Sequence, residues 1–261
     1  MKNFRTWGKP PYQVAVIHGG PGAPGSVAPV ARELSITMGV LEPFQTAKSA
    51  DGQVAELAAV LKEHGDLPVT LVGWSWGATL SYLTAARFPD LVRKLILVGT
   101  PPLEVKDGSR ADLTPVWMER LSEAERNEFV KLVDYIWDGK TEDKGPAMGK
   151  LFRLIARADS YEQIPGKDDV LEYQLDINIA VGLVLRDLIN SKKLIELGKD
   201  IKCPVMAING DYDPRSAENV RVPLSLMIKD FKFVLLQKCG HYPWMEKYAR
   251  DEFFKVLIKE I

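Results

Sequence analysis

A serine, an aspartate and a histidine sit in three short motifs far apart in the chain. Ser75 lies in Gly73-Trp74-Ser75-Trp76-Gly77, Asp213 in Asn209-Gly210-Asp211-Tyr212-Asp213-Pro214, and His241 in Cys239-Gly240-His241-Tyr242-Pro243. A serine hydroxyl is a poor nucleophile until a neighbouring base takes its proton. Imidazole is the usual base, and a carboxylate on its far nitrogen fixes its tautomer and stabilises the imidazolium. Together the three residue types suit attack on a carbonyl carbon through a covalent acyl intermediate. The oxyanion that forms needs two donors, and one is the N–H of Trp76, directly after the serine. The second is expected from His18-Gly19-Gly20-Pro21-Gly22, with Gly20 as donor and Gly19 as the alternative.

These assignments depend on the elements around them. A bare G-x-S-x-G arises by chance in roughly one chain in ten of this length, so its flanks must carry the reading. Val69-Thr70-Leu71-Val72 is the apolar, β-branched run of a buried parallel strand, and Ala78 to Arg87 is rich in helix formers. A strand turning sharply into a helix strains the serine and presents its hydroxyl at the carboxyl edge of a sheet. Glycines two positions either side let strand and helix approach. Of the three histidines, His18 lies in the glycine turn and His64 at the end of an amphipathic helix. Only His241, directly after the last expected strand, combines its position with a loop able to aim an imidazole. Asp213, held extended by Pro214, is preferred to Asp211, which suits the turn's own hydrogen bonding.

Further strands are expected over residues 2–7, Gln13–Ile17, Ile36–Leu41, Lys94–Val98, Pro204–Ile208 and Lys232–Leu236. Helices are expected over 26–35, Ala50–Glu63, 216–229 and Met245–Lys259. This alternation predicts βαβ units and a mostly parallel, doubly wound sheet. From 101 to 198 it stops, and helical stretches run over 115–137, 145–158 and 169–197. That is too long for a loop and too apolar for disorder. It predicts a helical lid (cap) inserted into a core made of residues 1–100 and 199–261.

Bulk properties exclude several classes. With 46% apolar and 26% charged residues, the 261-residue chain has an ordinary globular composition. Lys plus Arg number 34 against 35 Asp plus Glu, for a net charge of -1, so no basic stripe suggests nucleic acid or a membrane surface. The amino-terminal residues lack the apolar core of a signal peptide, and a cytoplasmic location is expected. Cys203 and Cys239 would stand about 20 Å apart across neighbouring strands, too far for a disulfide. They show no metal-ligand spacing, so neither metal nor cofactor is expected.

With the elbow at 73–77, the order Ser75, Asp213, His241, and the inserted helices, the chain resembles the α/β-hydrolases. The H-G-G-P-G turn at 18–22 with tryptophan after the nucleophile further resembles the proline iminopeptidase branch. The resemblance implies an α/β-hydrolase fold and a serine hydrolase acting on a small molecule or short peptide. Three readings stay open: a small-ester or amide hydrolase, a proline-type aminopeptidase, and a non-hydrolytic ligand-binding relative. In the iminopeptidases, acids of the lid hold the substrate's amino end. The lid here has many acids, including Glu162, Asp168, Asp169, Glu172 and Asp176, and none of them is singled out for that role. Trp74 is open to two roles, packing under the sheet edge or narrowing an acyl pocket.

Overall fold

Strand and helix alternate from the amino terminus as the apolar runs predict. The structure is a computed structural model that describes residues 3–104, 112–138, 143–166 and 169–261. The first half comprises β1 (Phe4–Trp7), β2 (Tyr12–Ile17), α1 (Ala28–Leu34), β3 (Gly39–Pro43), α2 (Ala50–His64), β4 (Val69–Trp74), α3 (Trp76–Arg87) and β5 (Val92–Val98). The insertion follows with α4 (Thr114–Arg120), α5 (Glu123–Trp137), α6 (Gly145–Ala158), α7 (Leu175–Asn190) and α8 (Lys193–Glu196). The chain then returns through β6 (Val205–Gly210), α9 (Glu218–Met227), β7 (Phe231–Leu236) and α10 (Arg250–Glu260).

The seven strands form one sheet in the order β1-β3-β2-β4-β5-β6-β7. β1 runs antiparallel to β3, and the remaining pairs are parallel. Strand order reverses between β2 and β4, where β2 leads out to β3 on one side and β4 leads to β5 on the other. Such a switch point opens a crevice at the carboxyl ends of the strands. The H-G-G-P-G turn follows β2 and the serine turn follows β4, so both motifs face that crevice.

β4 is buried along its whole length, and alternate residues of the central strands feed two core layers. Leu95 and Leu97 of β5 join Leu71, Ala207 and helices α2 and α3 on one face. Ile96 and Val98 join Val72, Ile208 and helices α1 and α10 on the other. Burying an aliphatic side chain of this size contributes about 1.5–3 kcal/mol. The switch-point crevice therefore rests on a rigid floor.

Four expectations need correction. Ile36 to Met38 is not strand. The N–H groups of Ile36, Thr37 and Met38 close the end of α1 onto Glu33 and Leu34 carbonyls, and Ile36 is exposed. The stretch expected as one helix over 115–137 breaks at Leu121-Ser122, where Ser122 and Glu125 form a reciprocal capping box that starts α5. Similarly, 169–197 divides into α7 and α8. The last helix starts at Arg250 rather than Met245.

The expected insertion, 101–198, includes residues 105–111, 139–142 and 167–168, which lie outside the described residues. Leu121, Phe129 and Ala158 form a small core of their own within it. Ile177, Val181, Leu185 and Ile189 of α7 pack instead into the sheet's own core. The insertion is thus fastened to the sheet by α7.

Candidate active site

Ser75 connects β4 to α3 at φ 54°, ψ -120°, a left-handed conformation that a side-chain-bearing residue adopts only under strain. The crossing is tight. A Cβ on Gly77 would lie 2.2 Å from the Ile17 carbonyl oxygen, and one on Gly73 would lie 2.2 Å from the Gly77 oxygen. The serine N–H donates to the Val98 carbonyl at 2.9 Å, tying the turn to β5. Trp76, at the first position of α3, donates from its indole to Gln53 Oε1 at 2.8 Å in the buried core. Its backbone N–H belongs to the helix's first turn, where no intrahelical acceptor exists.

The loops after β6 and β7 bring an imidazole and a carboxylate together. His241 Nδ1 lies 2.6 Å from Asp213 Oδ2, and both side chains are buried. The other oxygen of Asp213 accepts the Arg215 backbone N–H at 3.0 Å and Arg215 Nη1 at 3.1 Å. Burial opposes ionisation of Asp213, but the neighbouring His241 and Arg215 outweigh it and hold the carboxyl down at about 2. It is a carboxylate at any working pH. Asp211 is used differently, accepting the Cys239 N–H at 3.0 Å and so bracing the histidine loop. Gly99, at φ +50°, leaves room for the imidazole, since a Cβ there would meet Nδ1 at 2.9 Å. Trp74 donates from its indole to the His241 carbonyl at 2.8 Å and meets Trp244 edge to face. Its ring also lines the cavity.

The turn after β2 approaches the serine from the opposite side. Gly20 has φ +113°, and a Cβ on Gly19 would stand 3.2 Å from Ser75 Cβ. His18 is buried beneath this turn. Its Nδ1–H donates to the Gly19 carbonyl at 2.8 Å, and Nε2 accepts the Gln45 N–H at 3.3 Å. Burial disfavours the imidazolium, only partly offset by the Gly19 hydrogen bond, and lowers His18 from 6.5 to about 4. The depressed folded value means the unfolded chain binds the extra proton between these limits. Stability is therefore full above pH 6.5 and lost as pH falls towards 4, by up to about 3 kcal/mol. Denaturant unfolding at pH 7 and pH 5 should show this loss, and His18→Asn should shrink it. An equal pH 7-to-5 difference in both proteins would contradict it.

Ser75, His241 and Gly20 line one cavity of about 630 Å³ between the sheet edge and the inserted helices. Phe152, Ile155, Ile164, Val170 and Tyr173 form its apolar wall. The helical segment between β5 and β6 is fastened to the turn after β2 and to the loop after β7. Towards the glycine turn, Leu171 N–H donates to Pro24, Gln174 N–H to Gly22, and Asn178 Nδ2 to Pro21. Towards the histidine loop, Glu246 is fully buried and accepts N–H groups of Gly240, Tyr161 and Glu162 at 2.8, 2.9 and 2.9 Å. Ile164 N–H then donates to the Met245 carbonyl. This ribbon holds Glu246 extended (φ -87°, ψ 127°), which is why the last helix cannot begin at Met245.

Sequence reasoning missed Gln53, Asp159, Arg215 and Glu246. Arg215 lies two residues beyond Asp213, which was a usable signal; the other three carry none. His64 stacks on Phe4 at 4.1 Å and is not part of the cavity lining. Both cysteines are free thiols. Among the described residues no group of three or more His, Cys, Asp or Glu is placed to hold a metal ion. None of the described helices is long and apolar enough to cross a membrane.

Residues 21–248 match the family profile of the alpha/beta hydrolase fold. The chain belongs to that family, and it is an α/β-hydrolase-type enzyme. Among named relatives, it is similar to a pimeloyl-[acyl-carrier protein] methyl ester esterase of Neisseria meningitidis serogroup B. The two are 23% identical over 224 residues, covering 84% of this chain and 76% of the relative. A shorter match joins it to lipase LipV of Mycobacterium tuberculosis, 40% identical over 68 residues, or 26% of this chain and 25% of the lipase. Among solved structures, the thioesterase domain from the curacin biosynthetic pathway aligns with TM-score 0.64 and 19% identity, covering 98% of this chain and 94% of that domain. Est816, described as an N-acyl homoserine lactone degrading enzyme, aligns at 0.66 with 13% identity, covering 99% and 96%.

Proposed function

We propose that this protein is a serine hydrolase that cleaves a small ester or amide, esters foremost, through an acyl-enzyme on Ser75. His241 takes the serine proton and returns it to the leaving group, and Asp213 orients the imidazole. The N–H groups of Gly20 and Trp76 bind the oxyanion. The observation that carries this reading is the buried 2.6 Å Asp213–His241 pair opening onto the same cavity as a strained serine. The helices from 101 to 198 act as the lid, and their apolar wall receives the acyl or leaving group. About 630 Å³ suits a drug-sized substrate.

Two observations favour an ester over a peptide. The named relatives are an esterase and a lipase. The lid acids are also occupied: Glu162 pairs with Lys247, Asp169 with Arg32 and Asp176 with Lys48. Glu172 is exposed and outside the cavity lining, and Asp168 lies outside the described residues. Of the four named acids that the structure describes, three are thus ion-paired and the fourth lies outside the cavity wall, so none of them stands free to hold a substrate ammonium. The test is a panel of short-chain p-nitrophenyl esters against prolyl and other aminoacyl naphthylamides. Esters should lead by at least about 100-fold in kcat/KM, or about 2.7 kcal/mol of transition-state discrimination. The reverse preference would establish the aminopeptidase instead.

A further inference from the structure

Asp159 and Arg215 stand outside the serine, histidine and aspartate of the proposed mechanism, and the inference drawn from them rests on that reading. Asp159 ends α6, and its side chain is wholly buried. One carboxylate oxygen accepts the Trp117 indole N–H at 2.6 Å, from α4. The other accepts Arg215 Nη1 at 2.9 Å. The same Nη1 donates to Asp213 at 3.1 Å. Asp159 also receives the backbone N–H of His241 on its own carbonyl at 2.9 Å. The approach leaves no slack: a Cβ on Gly240 would lie 1.9 Å from the Asp159 carbonyl oxygen. One lid residue therefore holds the histidine's backbone and, through a shared guanidinium nitrogen, the histidine's carboxylate.

We propose that Arg215 and Asp159 are positioning residues that set the proton affinity of His241 and make it depend on α6 being seated against the histidine loop. Arg215 draws on the negative charge of Asp213, weakening the carboxylate's hold on an imidazolium. Asp159 draws on Arg215 and restores that hold. The row Asp159, Arg215, Asp213 and, once it has taken a proton, His241 alternates in sign, and all but the partly buried Arg215 are buried, so salt screens it little. The guanidinium stays charged, because its two carboxylate partners outweigh the burial that disfavours it.

Other groups facing the row do not replace it. The Tyr242 phenol and the Cys239 thiol are pushed up by burial and stay neutral. Asp211 and Glu246 spend their oxygens on the N–H groups of Cys239 and Gly240. Trp74 and Gly99 cover the remaining side of the imidazole without charge. On the lid, Arg157 pairs with Glu125, and Arg120 donates to the Ala158 carbonyl while stacking on Tyr212.

The experiment is the pH dependence of kcat/KM for a p-nitrophenyl ester, on the whole chain and its variants. Activity falls on the acid side as His241 takes a proton. Asp159→Asn removes a negative charge, so its acid limb should move to lower pH by roughly half a unit or more. Arg215→Gln removes a positive charge and should move the limb upward by a similar amount. Asp159→Asn with Arg215→Gln restores the net charge, and the limb should return towards that of the parent. A scaffolding role would lower kcat or thermal stability in all three without displacing the limbs in opposite directions. Limbs that stay put, or that move the same way in both single variants, overturn the proposal.

If Arg215→Gln fails to fold by circular dichroism, Asp159→Asn and Arg215→Lys decide. Asp159→Asn must still move the limb down, and Arg215→Lys, which keeps the charge, must leave it within a few tenths of a unit. Any other pattern overturns the proposal. His241→Ala separates the two levels. Turnover that survives it sinks the mechanism itself, whereas His241-dependent turnover with unmoved limbs sinks this inference alone.

Discussion

Ser75→Ala should lose at least about 10⁴-fold in ester turnover while keeping its fold. The expectation follows from the nucleophile's having no substitute: the oxyanion donors and the cavity can bind substrate, but no other hydroxyl is aimed from the elbow. Removing one member of such a set costs nearly as much as removing all of it. The serine's backbone supplies a second readout. At φ 54° it is strained, and glycine relieves that strain by about 1 kcal/mol or somewhat more. Ser75→Gly should therefore unfold at higher denaturant than the parent while being as inactive as Ser75→Ala. Residual activity within tenfold of the parent in either variant would remove Ser75 from the chemistry. Lower stability in the glycine variant would remove the strain.

Asp213→Asn should cost about 10⁴-fold in kcat, with little change in KM. The surroundings dictate which way the new amide points. Asp213 Oδ1 is held by two donors of Arg215, its backbone N–H and Nη1, so the asparagine oxygen stays there. The amide NH₂ then faces His241 Nδ1, which must turn from donor to acceptor. That tautomer carries its proton on Nε2 and cannot take one from Ser75. A loss below about tenfold would mean that the carboxylate neither orients nor charges the imidazole. Steady-state kinetics at pH 7–8, with circular dichroism to confirm the fold, would measure it.

The parts legible in the sequence were those whose chemistry is local. The serine turn announces itself because strand, glycines and helix are contiguous, and β4 and α3 surround Ser75 as expected. The order of loops after the strands marks Asp213 and His241 as candidates from chain order alone. What sequence could not show is what depends on distant chain segments meeting. Asp159 is 54 residues before Asp213 and carries no motif, yet its carboxylate and carbonyl reach both Arg215 and His241. Glu246 looks like a helix starter; only the ribbon formed with 161–164 makes it a buried clasp and delays α10. Ile36-Thr37-Met38 reads as strand by residue type, but the carbonyls at the end of α1 capture its N–H groups. Propensity yields in each place to a hydrogen-bond partner far away in sequence or one turn earlier.

The central claim is that Ser75 is a nucleophile activated by His241, and covalent trapping tests it most directly. Folded protein would be treated with a fluorophosphonate, weighed intact and mapped by peptide mass spectrometry. One adduct per chain is expected, on Ser75, absent in Ser75→Ala and formed at least about 100-fold more slowly in His241→Ala. An adduct on another residue, or none in protein that turns over ester, would contradict the mechanism and send the search for a nucleophile elsewhere in the cavity.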